Sequence, residues 1–169
     1  MIKTLTKSEM LERWTTIRAG EPQRLDCTVS RLDGLDLSAV YEAEMRAWYL
    51  DLLDSADESL LAPEDLAEEA TVSEAQGLTL VTFPAGVRRV LRLRFSGWGA
   101  PVAPEATPAK VTLSAANPFC RRPLAAKVAP NVVAVAGARG ELVAADCIVD
   151  RGPQAYIFDD KALQRLFTN

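Results

Sequence analysis

The apolar residues of this chain change their spacing near Gly77, and that change limits the folds open to it. Before Gly77 they recur every three or four positions, the mark of amphipathic helices, and after it they alternate, the mark of half-buried strands. Helices gathered at one end and strands at the other do not make alternating βαβ units, because a parallel strand pair needs a crossover of roughly a dozen residues. The pattern predicts an α+β fold: N-terminal helices, then a mostly antiparallel sheet or small barrel, then a short C-terminal helix. Residues 1–76 form the helical part and 77–169 the strand-rich part, expected as one compact unit, since 169 residues suffice for one core.

Local signals place the elements. Thr6 and Glu9 have the spacing of a capping box, with Met10, Trp14 and Ile17 on one face of the helix that follows, and Gly20 and Pro22 end it. Tyr41, Met45, Trp48, Tyr49 and Leu52 repeat at helical spacing, predicting a helix from Ser38 to about Asp54 whose aromatic residues are core. Pro63-Glu64-Asp65 reads as the first turn of a short helix through Ala70. Strands are predicted over Leu78–Phe83 and Val87–Phe95, joined by the bend Pro84-Ala85-Gly86, with a short strand over Val111–Ser114 and irregular chain from Asn117 to Pro130. Gly97-Trp98-Gly99 leads into an extended, exposed loop from Pro101 to Pro108. Val132–Ala136 and Leu142–Val149 read as a hairpin around Gly137-Ala138-Arg139-Gly140, and Tyr156–Phe158 as a strand before a helix capped by Asp160, with Leu163, Leu166 and Phe167 on its apolar side.

Composition removes whole classes of chemistry. The chain has no histidine, so Ser-His-Asp and Cys-His catalysis and the usual nitrogen ligands of zinc are excluded. Cys27, Cys120 and Cys147 are scattered and contain no C-x-x-C, which suits buried free thiols in a reducing compartment. Asp33-Gly34-Leu35-Asp36 lacks the spacing of a calcium loop and reads as a turn. No glycine loop carries the Lys-Ser/Thr of a phosphate cradle, and the neighbouring carboxylate pairs Asp57-Glu58, Glu68-Glu69 and Asp159-Asp160 sit where caps and solvated faces are expected. No cofactor, metal or catalytic residue is expected. The opening residues Met1–Lys7 carry cations without an apolar block, and no apolar run approaches a membrane span, so a cytoplasmic location is expected.

The signal that stands out is the partition of charge. Between Asp33 and Glu74 thirteen acids oppose Arg46 alone, a net of −12, and between Arg88 and Arg139 nine bases oppose Glu105 alone, a net of +8. Strict alternation over Val87–Phe95 sets Arg88, Arg92 and Arg94 opposite Val87, Leu91, Leu93 and Phe95, a basic stripe above an apolar underside. Such a stripe serves as a solvated sheet face, as a surface for an acidic protein partner, or as a nucleic-acid contact. The candidate interface residues are Arg88, Arg92, Arg94, Arg121, Arg122 and Trp98 on the basic side, and Glu42, Asp51, Asp54, Glu64, Asp65 and Glu68 on the acidic side. Acidic helices of one copy meeting the basic sheet of the next would make a heterologous contact, which closes into a ring when the rotation permits.

The helix Tyr41–Leu53, the acidic segment Pro63-Glu64-Asp65-Leu66, and Phe83–Val90 running into Ser96-Gly97-Trp98 resemble, in their organisation, the head-to-tail connector (neck or adaptor) proteins of tailed bacteriophages. The likeness spans Ser38 to Pro101. It implies a structural, non-enzymatic virion protein that forms a homo-oligomeric ring, contacts other virion or assembly proteins and lies near DNA. The basic stripe would then face an acidic partner ring or the DNA channel, and the loop Pro101–Pro108 would reach a neighbouring copy. The alternative from the residues is a small bacterial regulatory or ligand-binding module that uses the groove between helices and sheet.

Overall fold

The structure, a computed structural model, describes residues 1–19, 36–119 and 122–167. Among them the chain runs β1 (Ile2–Thr6), α1 (Lys7–Ala19), α2 (Leu37–Ser55), a 3-10 turn (Glu58–Leu60), β2 (Glu64–Asp65), β3 (Thr71–Ala75), β4 (Leu78–Thr82), β5 (Val87–Phe95), α3 (Pro108–Ala116), β6 (Leu124–Ala129), β7 (Val132–Ala136), β8 (Leu142–Val149), β9 (Ala155–Asp159) and α4 (Asp160–Phe167). Every described strand pair is antiparallel, so the fold is α+β, as the change of period predicts. Contacts divide the chain into two units, Met1–Ala62 with Asp150–Asn169, and Pro63–Val149. The division departs from the change of period at Gly77: residues 150–169 join the first helices, and residues 63–76 join the strands.

The first unit is closed by β1 pairing with β9, from Ile2 against Asp159 to Thr6 against Ala155. β1 is too polar to be read as a strand. α1 begins on the expected capping box, in which the Thr6 amide donates to Glu9 Oε2 at 2.8 Å and the Glu9 amide donates to Thr6 Oγ1 at 3.3 Å. Met10 is fully buried, but Ile17 is 46% exposed and Leu11 and Thr15 are buried, so the packed face of α1 is rotated from the expected one. Asp36 caps α2 through Oδ1, accepting from the Ser38 amide at 3.0 Å. α2 buries Met45, Tyr49 and Leu53. Tyr49 packs against Tyr156 and Phe158 of β9, with ring centres 4.8 and 5.4 Å apart, while Trp48 lies between Trp14 and Phe167. Asp159, rather than Asp160, caps α4, its Oδ1 accepting from the Lys161 amide at 2.9 Å.

The second unit has two sheets, ordered β2-β8-β5 and β3-β4-β7-β6. Their facing sides share one core: Val81, Phe83, Ala125, Val133 and Val135 from the four-stranded side meet Val87, Val90, Leu93, Phe95, Ala145, Cys147 and Val149 from the other. The opposite face of the four-stranded sheet is covered by α3, whose Val111 is fully buried on Ala126, Ala134 and Ala136. Those alanines let the helix approach closely, and burying Val111 there contributes about 2 kcal/mol. The segment Val111–Ser114 is thus helical, not a strand, because Thr107 caps the Lys110 amide and Pro108 occupies the first turn.

Four further expectations are corrected within this unit. The segment after Pro63 is not a helix: Leu66 is buried in the core and its amide donates to the Ala145 carbonyl at 2.9 Å, which draws Glu64-Asp65 into a ladder with β8. The stretch Asn117 to Pro130 contains β6, hidden in the sequence by its alanines. β7 and β8 do not form a hairpin: β7 pairs with β4 and β6, and β8 with β5 and β2. Pro101–Pro108 is not a free arm, since Val102 exchanges both backbone hydrogen bonds with Leu93, at 2.8 and 2.9 Å, and Pro108 starts α3. Gly77 belongs to a two-residue turn joining β3 to β4, in which Gln76 and Gly77 have φ of 53° and 80°. Positive φ at both positions is the geometry of the type I′ hairpin turn.

Candidate assembly surface

On β5 the apolar side is met as expected at Val87, Leu93 and Phe95, but extra residues at Arg88 and Leu91 interrupt the register with β8. Each bulge offsets the alternation by one residue. Val90 therefore joins the core cluster, and Leu91 is buried as well. Arg92 and Arg94 are exposed, as the pattern predicts, while Arg88 and Arg89 are half-buried and engaged. Arg92 stands opposite Asp146 of β8, its Nε 3.7 Å from Oδ2, with both side chains nearly half exposed. Such a solvated pair contributes little to stability.

The remaining basic candidates separate. Arg122 is exposed just before β6, beside a hollow of about 490 Å³ that it lines with Glu105, Lys110 and Leu124. Arg121 lies outside the described residues, as do Cys27, Cys120 and the turn at Asp33-Gly34-Leu35. Trp98 is no surface anchor. It is 5% exposed, packs at a tilt against Phe95 with ring centres 4.9 Å apart, and donates its indole N–H to the Gly137 carbonyl at 2.8 Å. Its neighbour Gly97 lies tight against Arg139, where a Cβ would meet Arg139 Cβ at 2.5 Å.

The acidic candidates fall on both units. Glu42 on α2 forms an ion pair with Lys7 at 2.6 Å, and Asp51 and Asp54 are exposed further along the same helix. Glu64, half-buried, and Glu68, exposed, belong to the second unit. Asp65 acts within the fold, its Oδ1 accepting the Ala67 amide at 3.1 Å and the Ala145 amide at 3.0 Å.

This distribution alters the electrical picture drawn from the linear sequence. Five of the thirteen clustered acids share a unit with all nine clustered bases, so Pro63–Val149 carries eight acids and nine bases, a net of +1. The first unit carries fifteen acids and ten bases, a net of −5. The acidic pole persists and the basic pole is largely neutralised within its own unit.

No family model, curated protein or solved structure matches this chain. The reading of its surface rests on its own residues. Cys147, one of three scattered thiols, is fully buried, and burial together with Asp146, Asp65 and Glu64 pushes its thiol up to about 12, far from the range of a reactive nucleophile. In the first unit β1, α1 and α4 enclose an open hollow of about 380 Å³ lined by Lys3, Leu5, Glu12, Arg13, Ile17 and Phe167, among others. Arg13 lies over the Phe167 ring, 5.9 Å from its centre. Among the described residues no helix is long and apolar enough to cross a membrane.

Proposed function

We propose that this chain is a non-enzymatic assembly protein that builds a homo-oligomeric ring, as a head-to-tail connector of a tailed bacteriophage or prophage does. The observation that carries the reading is the unequal charge of the units, −5 against +1, with Asp51 and Asp54 exposed on the first and Arg92 and Arg94 exposed on the second. Unlike patches on one chain favour a heterologous contact, and such contacts close into rings or run on as filaments. Charge of this kind steers encounter and sets register more than it adds affinity. The basic groups of the second unit are balanced within it, so the attraction runs from the acidic surface of α2 to local arginines. Other virion proteins, or the DNA passing a ring, are the partners this reading implies.

Native mass measurement in low and high salt tests it. The expected result is a closed oligomer of one stoichiometry that dissociates as ionic strength rises. A monomer at every concentration and salt level would end the reading.

A ligand-binding module is the second reading, and the hollow between β1, α1 and α4 favours it, because charged groups of both signs, Lys3 and Arg13 with Glu9, Glu12 and Asp160, and the Phe167 ring surround apolar Leu5 and Ile17. Saturable shifts of β1 and α4 resonances on adding small amphipathic zwitterions, with the mass unchanged, would favour this reading over the ring.

A further inference from the structure

A sheet edge exposes a row of unpaired backbone donors and acceptors, and natural folds cover, shorten, bend or charge such edges. In the second unit most edges are managed in this way. β2 is two residues long. The outer side of β5 is occupied by Val102, which exchanges hydrogen bonds with Leu93, and the outer side of β6 by Ala106, whose amide donates to the Ala125 carbonyl at 3.0 Å. β3 differs from all three. It is the terminal strand of the four-stranded sheet, its five residues are all exposed, and they pair with β4 in unbroken register without a bulge. It contains no proline, its one charged residue is Glu74, and among the described residues no strand covers its outer side.

The turn geometry identifies the free groups. In a two-residue hairpin the residues flanking the turn, Ala75 and Leu78, form a hydrogen-bonded pair, and pairs alternate from there. Ser73 and Thr71 therefore bond to β4, while the N–H and C=O groups of Val72 and Glu74 point away from it. Val72 shares its face with Val81, which is fully buried in the core, yet is itself 45% exposed at the end of that row. The row of apolar side chains stops at an uncovered valine.

We propose that β3 pairs antiparallel with β3 of a second copy, centred on Ser73. Centring there is the register that uses all four outward groups of each strand: Val72 of one copy faces Glu74 of the other, twice, with two hydrogen bonds in each pair. It also keeps the two Glu74 carboxylates from standing opposite each other, as a register shifted by one pair toward the turn would not. Charge on the second unit does not oppose a like copy at this place, since that unit carries a net of only +1. The product is one eight-stranded sheet across a two-fold axis. This contact is isologous and depends on backbone pairing, so it stands apart from the salt-sensitive ring contact and does not rest on it.

Sedimentation of the full chain across micromolar to millimolar concentration, in low and high salt, tests the pairing. The expected result is a dimer that persists in high salt. Val72→Pro removes an outward N–H without touching a bond to β4 and should raise the dimer dissociation constant about tenfold or more, with the circular dichroism spectrum kept. Ser73→Cys, in a chain with Cys27 and Cys120 replaced by serine, should form a disulfide-linked dimer, because the central residues form a non-hydrogen-bonded pair with Cα atoms about 4.5 Å apart. Glu74→Cys in the same chain should not, since its counterpart lies on the diagonal. A monomer in all conditions overturns the pairing, as does a dimer or ring indifferent to Val72→Pro whose Ser73→Cys chains fail to cross-link. Where that species is a ring, the ring reading survives and only the strand pairing is lost.

Discussion

Arg46, midway along α2, forms an ion pair through Nη2 with Asp150 Oδ2, and its Nη1 donates to the Gly152 carbonyl at 3.3 Å. The two side chains are 22% and 16% exposed, so the pair is mostly withdrawn from water. Burial alone would lower the guanidinium's proton affinity, but the hydrogen bond and charge of Asp150 outweigh it and hold Arg46 above its ordinary value. The one base in the acidic stretch is therefore a structural tie between α2 and the segment leading to β9.

Removing one member of this pair leaves the other charge without compensation. Asp150→Ala is expected to cost about 3 kcal/mol in urea denaturation, more than an exposed pair would. The double change Arg46→Met with Asp150→Ala should cost less than the sum of the single changes, and strict additivity would show that the two side chains do not interact.

Tyr49 protects the outer side of β9. Its hydroxyl accepts the Ile157 amide at 3.0 Å and lies 3.4 Å from the Ile157 carbonyl, to which it donates. Tyr49→Phe keeps the ring contacts with Tyr156 and Phe158 and strips only these bonds, so it should cost about 2 kcal/mol and speed hydrogen exchange at Ile157 selectively. Unchanged exchange there would mean that water replaces the hydroxyl without loss.

The capping box predicts a pH dependence at the start of α1. The Thr6 amide and hydroxyl bonds, helped by Lys3 and Arg13, hold the Glu9 carboxyl below its ordinary 4.5. A folded value below the unfolded one means that ionised Glu9 favours the fold above about pH 4.5, and that this contribution disappears as pH falls through the lower folded value. Glu9→Gln should thus be less stable than the parent near neutrality and converge with it in acid. Parallel stability curves across that range would contradict the assignment.

Cys147 should behave in the opposite sense. With the folded thiol near 12 and the ordinary value 9.0, the unfolded chain ionises first as pH rises, so this residue withdraws stability progressively above about pH 9. A thiol reagent should leave Cys147 unmodified in the folded chain and label it on unfolding, which peptide mapping can follow at that residue. Rapid native labelling would show that the core opens locally.

Much of this fold is legible in the chain, and the illegible parts have identifiable causes. α1 announces itself through its capping box at Thr6 and Glu9, and α2 through a long run at helical spacing that includes Met45 and Tyr49. β4, β5, β7, β8 and β9 follow from alternation rich in β-branched and aromatic residues. β6 and α3 are missed or misread for a shared reason: a helix packed on Ala126, Ala134 and Ala136 needs small strand residues, which are poor strand formers, and a helix face containing Val111 and Thr112 looks like a strand. Strand partnership is the larger gap, since β7 and β8 are neighbours in sequence but belong to different sheets. For the candidate surface, exposure of Arg92 and Arg94 was readable from alternation, while the burial of Trp98 and the open edge at β3 were not. The first depends on Gly137 reaching the indole from a distant loop, and the second on which strand ends the sheet.

The pairing of β1 with β9 also sets an order of events during synthesis. Pro63–Val149 is an unbroken stretch of chain that leaves the ribosome with all its own contacts available, whereas β1 and the helices after it wait for residues 155–159 before their sheet exists. The later-numbered unit is therefore the first to complete, and the first helices stay unfinished until the last strand emerges.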